Sequence, residues 1–181
     1  MSIIDRFIAA ITPPESEEAR LRARTQATEA AKPGDWLDQI LQHHMDIEDA
    51  FLAVKSATDV TGRTTALKLL GVLLTGHAIA EKSVIYPALA QDGEKTHAAM
   101  GYDEQAMVKV QMALLEQLPP LSQDFLDKLE HIEGAVAHHM YAEEGNWFLD
   151  LKKNASAEQE AILTKRYLEE YGRYVGADAQ G

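Results

Sequence analysis

The chain has 181 residues, a formal net charge of −12 and no cysteine. Its length is that of one ordinary domain and is sufficient to bury a core without cross-links. The absence of cysteine excludes disulfides, thiolate metal sites and cysteine nucleophiles. With 29 acidic residues and no cluster of lysine and arginine, the composition also argues against a nucleic-acid partner.

The N-terminal sequence favours a soluble protein. Residues 1–11 lack the cationic start, the long apolar core and the small-residue cleavage site of a signal peptide. Elsewhere there is no uninterrupted run of about eighteen apolar residues, which a membrane-spanning helix would need. We therefore expect a cytoplasmic protein that has no membrane partner.

The two flanks of the chain predict helical extensions. Residues 3–11 repeat apolar positions at helical spacing, residues 15–31 are charged and rich in alanine, and both stretches end near prolines. A last helix is predicted over about 156–174, before a polar tail. We therefore predict an N-terminal extension over 1–34 and a C-terminal helix and tail over 154–181. Either extension could cover one end of the central domain or form a homodimer contact.

Four long helices are predicted in the central domain, residues 35–153. Apolar residues recur there at steps of three and four, and no strand-like alternation appears. The first helix begins at the cap Asp35, and Pro87 is expected to bend or end the second. The other three cover about 61–90, 96–117 and 122–153. The predicted fold is all-α, an antiparallel four-helix bundle.

Histidine and glutamate occupy core positions on three of these helices. His44 lies in the apolar stripe of the first helix, and the pairs His77/Glu81 and His139/Glu143 continue the stripes of the second and fourth. A spacing of four places both members of each pair on one helix face. A buried imidazole or carboxylate without a partner costs on the order of several kcal/mol. The five residues must therefore bind one another or a metal ion, and their repeated spacing favours metal.

The second and fourth helices belong to an internal repeat. Aligning His77 with His139 also aligns the two glutamates. His44 lies 33 residues before His77, and Gln105 lies 34 residues before His139. Each half is therefore a helical hairpin with one upstream ligand position and one His-x-x-x-Glu pair.

The ligand types suit particular metals. Three imidazoles and two carboxylates are compatible with divalent iron, manganese or zinc. Glutamates from antiparallel helices can each bridge two ions, as they do in carboxylate di-iron bundles, which favours a two-metal centre. A structural zinc site prefers four closed ligands. We therefore predict two iron ions and favour manganese and zinc less.

These residues resemble the hemerythrin-like HHE cation-binding family. Leu41-Gln42-His43-His44-Met45-Asp46-Ile47-Glu48 resembles its first-helix motif, Gly76–Glu81 with Tyr86-Pro87-Ala88-Leu89 its second, and His139–Glu143 with Trp147-Phe148 its fourth. The resemblance covers about residues 36–153. It implies an oxo- or hydroxo-bridged non-heme di-iron site that binds dioxygen, or in bacterial members handles peroxide, nitric oxide or iron.

The third helix departs from the family pattern. The family usually offers a Glu-His pair there, whereas this chain has Tyr102-Asp103-Glu104-Gln105. Glutamine is a weak neutral oxygen ligand, so one ion would be labile, would keep an open position, or would be completed by Glu104 or Tyr102. We expect the two metal positions to be inequivalent.

Neighbouring residues leave part of the ligand choice open. His44 shares its stripe with larger apolar residues than His43 does, so His44 is the favoured ligand. His43, His138 and Glu48 are expected beside the ligands or on the helix surface. No catalytic residue is assigned.

Three functions fit this predicted site. The favoured one is a di-iron protein that binds or responds to dioxygen, peroxide or nitric oxide. An alternative is a di-iron enzyme, peroxidase- or catalase-like or an oxidase, that reacts at the open position beside Gln105. Another is an iron-buffering or iron-sensing module whose folding depends on metal. The chain has no nucleophile elbow, phosphate-binding loop or dinucleotide-binding turn.

Overall fold

The computed structural model describes residues 15–178, and in that part the chain is all-α without a strand. The predicted helix over 3–11 lies outside the described residues. The helices are α1 (Glu17–Ala30), α2 (Trp36–Ser56), α3 (Val60–Ala80), α4 (Tyr86–Gln91), α5 (Lys95–Leu115), α6 (Gln123–Ala142), α7 (Phe148–Asn154) and α8 (Ala157–Asp178). Five-residue π-helical turns join α3 to α4 (Glu81–Ile85) and α6 to α7 (Glu143–Trp147).

Side-chain caps determine where three of the long helices begin. The carboxylates of Asp35 and Asp59 accept hydrogen bonds from backbone N–H groups in the first turns of α2 and α3, at 3.0 and 2.9 Å. The hydroxyl of Ser122 does the same for α6 at 3.2 Å. Such caps satisfy donors that have no partner inside the helix. Both α2 and α6 therefore start where the sequence predicts.

The four long helices contact one another in a ring. Helix α2 packs against α3 and α6, and α5 packs against α6 and, less closely, against α3. Short loops join α2 to α3 and α5 to α6, so the helices of each pair run antiparallel. This arrangement is compatible with the predicted bundle. Helices α1 and α8 pack on its outside, α1 near the α6–α7 turn and α8 along α3 and α2. The predicted boundaries between core and extensions stay predictions.

Two apolar clusters fill the ring and leave a layer between them. One cluster contains Trp36 and Ile40 of α2, and the other contains Ile47 and Phe51 of the same helix. All four residues are at most 1% exposed. Burial of such side chains stabilises the fold by about 1.5–3 kcal/mol each. The layer between the clusters is where the polar core residues lie.

The second predicted helix changes from α-helical to π-helical hydrogen bonding before it reaches Pro87. The backbone N–H of Tyr86 donates to the carbonyl of Glu81, five residues earlier, and closes the π turn. Pro87 then lies in the first turn of α4, where a missing N–H removes no helical hydrogen bond. The helical path therefore continues to Gln91 instead of ending at the proline.

The stretch Val60–Gln91 is the one within the described residues that is long and apolar enough to cross a membrane. Of its most apolar window, 44% is buried inside the protein. A core helix of a soluble protein meets the same criterion, so length and composition decide nothing here. A cytoplasmic location and the absence of a membrane partner stay predictions.

A buried arginine fixes the end of the ring far from the polar layer. The Arg63 guanidinium donates to the carbonyls of Val54 at 3.1 Å, Pro120 at 2.9 Å and Lys55 at 3.3 Å, and also to Ala57. The last carbonyls of a helix have no donor within the helix. Arg63 therefore caps the C-terminus of α2 and ties it to the loop before α6.

We expect Arg63→Met to lower the free energy of unfolding by about 2–4 kcal/mol, because several carbonyls lose their donor. Denaturant unfolding of the full chain measures the change. The control is Arg166→Met on the exposed side of α8, which should change it by less than about 0.5 kcal/mol. Equal stability of the two variants would contradict a capping role for Arg63.

Candidate metal centre

Buried imidazoles and carboxylates meet in the layer between the apolar clusters. His44, His77, Glu81 and Glu143 offer ligand atoms that all lie within 4.8 Å of one another. His77 is 5% exposed and the other three have no exposed surface. Nitrogen and oxygen donors of this kind suit iron, manganese or zinc. The group could therefore hold a metal ion.

The inward-facing atoms of this group form ion-pair contacts but no hydrogen bonds: His44 Nε2 lies 3.4 Å from Glu143 Oε2, and His77 Nε2 lies 3.2 Å from Glu81 Oε2. Within the described part of the chain, His44 Nε2, His77 Nε2, Glu81 Oε1 and Glu143 Oε2 are buried and form no hydrogen bond. Each such atom costs about 1–3 kcal/mol when it stays unsatisfied. A cation bound among them would satisfy all four at once. The donor set and its unsatisfied atoms thus fit a metal.

Carboxylates hold the outer nitrogens of two histidines. His44 Nδ1 lies 2.7 Å from Glu144 Oε1, and His139 Nδ1 lies 2.7 Å from Glu104 Oε2. Histidines that bind metals usually donate their second nitrogen to an acceptor in this manner, which orients the ring and fixes the tautomer. The Nε2 atom of each ring is consequently left toward the centre of the layer.

Helix α8 supplies the corresponding partner of His77. The buried Tyr167 hydroxyl lies 3.3 Å from His77 Nδ1 and 2.8 Å from His43 Nδ1. Tyr171 stacks on the His43 ring with centroids 3.6 Å apart. The structure therefore places His44 in the ligand group and turns the adjacent His43 toward α8.

The Tyr86 hydroxyl occupies the other side of the layer. It donates toward Glu81 Oε2 at 3.2 Å and Glu143 Oε1 at 2.9 Å, and it lies 3.0 Å from His139 Nε2. Gln105 Nε2 donates to the same hydroxyl at 2.6 Å. The His44 and His77 side has two imidazole nitrogens without a hydrogen bond, whereas on the other side the tyrosine hydroxyl lies against His139 Nε2 and the unbonded atom is Gln105 Oε1. The two halves of the repeat are therefore unequal.

Helical periodicity could not find Tyr86. It follows Glu81 by five residues, which on a regular α-helix turns its side chain about 140° away from the glutamate. In the π turn the hydrogen bonds span five residues instead of four, so both side chains face the same layer. The only sequence signal was its place in the Tyr-Pro-x-Leu motif.

All four residues of the group are buried, so the charged forms of their side chains are poorly solvated. Burial lowers the pKa of His44, but the nearby carboxylates of Glu143 and Glu144 outweigh burial and raise it to about 9. Burial and the His44 cation lower the pKa of His77. Burial and Glu143 raise the pKa of Glu81, whereas for Glu143 the nearby histidines outweigh burial and lower it. A bound dication would take the place of protons held by these residues.

Two residues that sequence analysis set beside the site have hydrogen-bond partners outside the ligand group. The Tyr102 hydroxyl donates to the Lys82 carbonyl at 2.8 Å, and 38% of Tyr102 is exposed. The Tyr102 ring packs edge-on against Tyr86 with centroids 5.3 Å apart. His138 Nδ1 lies 2.6 Å from Glu15 Oε1, at the start of the described chain.

Sequence analysis missed a contact that links α1 to the site. Arg24 donates to Glu144 Oε1 at 2.8 Å and to Glu48 Oε2 at 2.7 Å. Glu144 is 2% exposed, and the same Oε1 atom lies 2.7 Å from His44 Nδ1, so Glu144 connects Arg24 to the site. Burial raises the pKa of Glu144, but His44 and Arg24 outweigh it, so the pKa is lowered. The predicted neighbour Glu48 therefore acts on the site only through Arg24.

Comparison with known proteins gives a partial relationship. The chain is 30% identical over 86 residues to a protein named DNA nickase from Nostoc sp. (strain PCC 7120 / SAG 25.82 / UTEX 2576). The matched segment is 48% of this chain and 24% of that protein. The match therefore covers about a quarter of the relative's length. No family model and no solved structure matches the chain. These comparisons do not establish a family.

We expect Gly101→Ala to displace Tyr86 from the layer. An added Cβ would lie 2.6 Å from Tyr86 Cζ and 2.9 Å from its hydroxyl oxygen, and the ring has no exposed surface toward which to move. Such overpacking should destabilise the fold by about 1–3 kcal/mol. Denaturant unfolding and the NMR signals of a labelled Tyr86 ring measure the two effects.

The control is Gly134→Ala on α6, where the new Cβ meets nothing within 4 Å. The free energy of unfolding of this variant should be unchanged or higher by up to about 1 kcal/mol, because alanine has a higher helix propensity than glycine. An unshifted Tyr86 signal in Gly101→Ala would show that α5 moves instead of the tyrosine.

Proposed function

We propose that this chain is a non-heme di-iron protein of the hemerythrin type that binds or responds to dioxygen, peroxide or nitric oxide. The observation that supports it is the convergence of four unsatisfied nitrogen and oxygen atoms in a buried layer. The motif resemblance over about residues 36–153 and the ring of α2, α3, α5 and α6 are compatible with a hemerythrin-like bundle.

The residues present suggest two unequal metal positions. His44 and His77 would hold one ion together with the two glutamates, Glu81 and Glu143. His139 would contribute to the second with the same glutamates, and Gln105 could complete it. When bound, iron would supply a change of oxidation state and an open position for a small ligand.

The surrounding residues would keep this site rigid. Glu144 and Glu104 orient the imidazoles of His44 and His139, and Arg24 fixes Glu144 in turn. Apolar clusters pack on both sides of the layer. Positioning of this kind raises the metal affinity of a site, commonly by about 10–100-fold for each orienting partner.

A second candidate is a peroxide-consuming enzyme, and the position of Tyr86 favours it. Its hydroxyl lies within hydrogen-bond distance of Glu81, Glu143 and His139. Burial and the two carboxylates raise the pKa of Tyr86 well above its usual range, so it retains its proton. A neutral hydroxyl at the centre of the layer could donate a hydrogen bond to an oxygen atom of a peroxide and stabilise negative charge that develops there.

We also propose that nucleic acid is not a partner, despite the name of the Nostoc relative. The net charge of −12 supports this, and the match covers only 24% of that DNA nickase. A homodimer and a cytoplasmic location remain predictions.

We expect the protein purified aerobically to contain iron, at up to two ions per chain, with a visible spectrum that responds reversibly to reduction and dioxygen. His44→Ala should lose at least about 10-fold in metal affinity because a ligand is removed, whereas His43→Ala should retain the metal. Elemental analysis and visible spectra measure both. A colourless protein that contains zinc would contradict the iron proposals, and equal iron in both variants would reject His44 as a ligand.

If the protein consumes peroxide, Tyr86→Phe should lower the rate by about 100-fold while the iron content stays constant, because a buried hydrogen-bond donor is lost. The matched control is Tyr102→Phe, which removes a hydroxyl that bonds the Lys82 carbonyl. Peroxide loss followed optically gives the rates. Equal rates for the two variants would rule out a role for the Tyr86 hydroxyl in the reaction.

A further inference from the structure

A cavity of about 610 Å³ lies between α3 and α5. One wall runs from Lys68 on α3 to Lys82 in the π turn, and the other runs from Gln105 on α5 to Glu116 just after it. The cavity reaches His77 and His139 of the candidate metal centre. Small-molecule sites in proteins have volumes of about 300–1,000 Å³. The cavity is therefore large enough for a small organic ligand.

Small side chains on facing helices explain why the space exists. Gly71, Thr75 and Ala78 follow one another along the α3 wall, and Ala113 lies on the α5 wall. An added Cβ at Gly71 would meet no atom within 4 Å. Apolar residues, among them Ile47, Leu74 and Val108, cover most of the rest of the wall. A ligand in this space would contact mainly hydrocarbon.

The charges that line the cavity differ in sign from the protein as a whole. Lys68, Lys82 and Lys109 line it together with one acidic residue, Glu116, although the chain carries a net charge of −12. Within residues 15–178, none of the three ammonium groups forms a hydrogen bond or ion pair. An anionic group placed among these lysines would be attracted to all three.

We propose that the α3–α5 cavity binds an aliphatic carboxylate, with its carboxylate near Lys82 and Lys109 and its alkyl chain between the two helices. Charge complementarity selects the anionic head group, and the apolar wall selects the chain. Binding of the carboxylate does not require a metal ion. A role for this ligand as a substrate or effector of a neighbouring metal centre rests on the proposed function.

The test is a titration of the full chain with decanoate, followed by calorimetry and by NMR of labelled methionine methyl groups, in both metal-depleted and zinc-loaded protein. Met112 and Met140 line the cavity, whereas Met45 and Met100 do not. Decanoate should shift the first two signals and leave the other two unchanged. Affinity should rise about three- to four-fold for each methylene added to the chain. Decyltrimethylammonium should bind at least about 10-fold more weakly.

Two sets of variants separate the head group from the chain. The double variant Lys82→Gln/Lys109→Gln should weaken decanoate binding by about 10-fold or more, whereas Lys153→Gln on the exposed end of α7 should not. Gly71→Leu places a side chain in the cavity and should also abolish binding. The substitution should leave the helix intact, because leucine has a higher helix propensity than glycine. Gly172→Leu, which lies in open space on α8, is its control.

Several results would overturn the proposal. These are the absence of decanoate binding, equal binding of the quaternary ammonium, and binding unchanged in Gly71→Leu. A dimer that Gly71→Leu dissociates would show that a second copy covers the cavity instead. A protein that binds decanoate but holds no metal would reject the proposed function and support this inference. A protein that holds metal without binding decanoate would reject this inference alone.

Discussion

The burial of imidazoles and carboxylates between two apolar clusters is the constraint on which the rest of the structure depends. Such groups destabilise a core unless each polar atom has a partner. The outer atoms are satisfied from three directions, by Glu104 of α5, by Tyr167 of α8, and by Glu144, which Arg24 of α1 holds in place. The inner atoms are not satisfied, and they converge. Helices α1 and α8 thus contribute to the same polar layer as the central ring.

The internal repeat gives the layer two sides, and chemistry distinguishes them. Tyr86 aligns with Phe148 in the repeat, but only the tyrosine carries a hydroxyl. Phe148 packs edge-on against Trp36 in an apolar cluster, with centroids 5.7 Å apart. Tyr86 instead contacts both glutamates of the layer. A duplicated backbone therefore carries a site that is open to a cation on one side and filled by a phenol on the other.

Much of the fold and the centre of the candidate site could be predicted from the sequence, because both follow the 3.6-residue period. The polar residues singled out in the apolar stripes of α2, α3 and α6 do meet in one layer. Tyr86 and Glu144 could not be found in this way, since the π turns break the period at that point. Arg24 and Tyr167 could not be predicted from the sequence for another reason. They contact the layer from helices distant in sequence, and a single chain carries no local signal of such contacts.

The π turns also determine how the chain tolerates changes in length. Each turn begins at a glutamate of the layer, and its backbone hydrogen bond spans five residues, whereas that of an α-helix spans four. Deleting one residue from Glu81–Ile85 would restore a regular helix in which Tyr86 follows Glu81 by four residues, a net rotation of about 40° that keeps both side chains on one face. Tyr86 and Leu89, both without exposed surface, would then still face the core. A one-residue deletion within α3 would instead rotate everything beyond it by about 100°, so deletions in the two π turns should be better tolerated than deletions in the regular helices beside them.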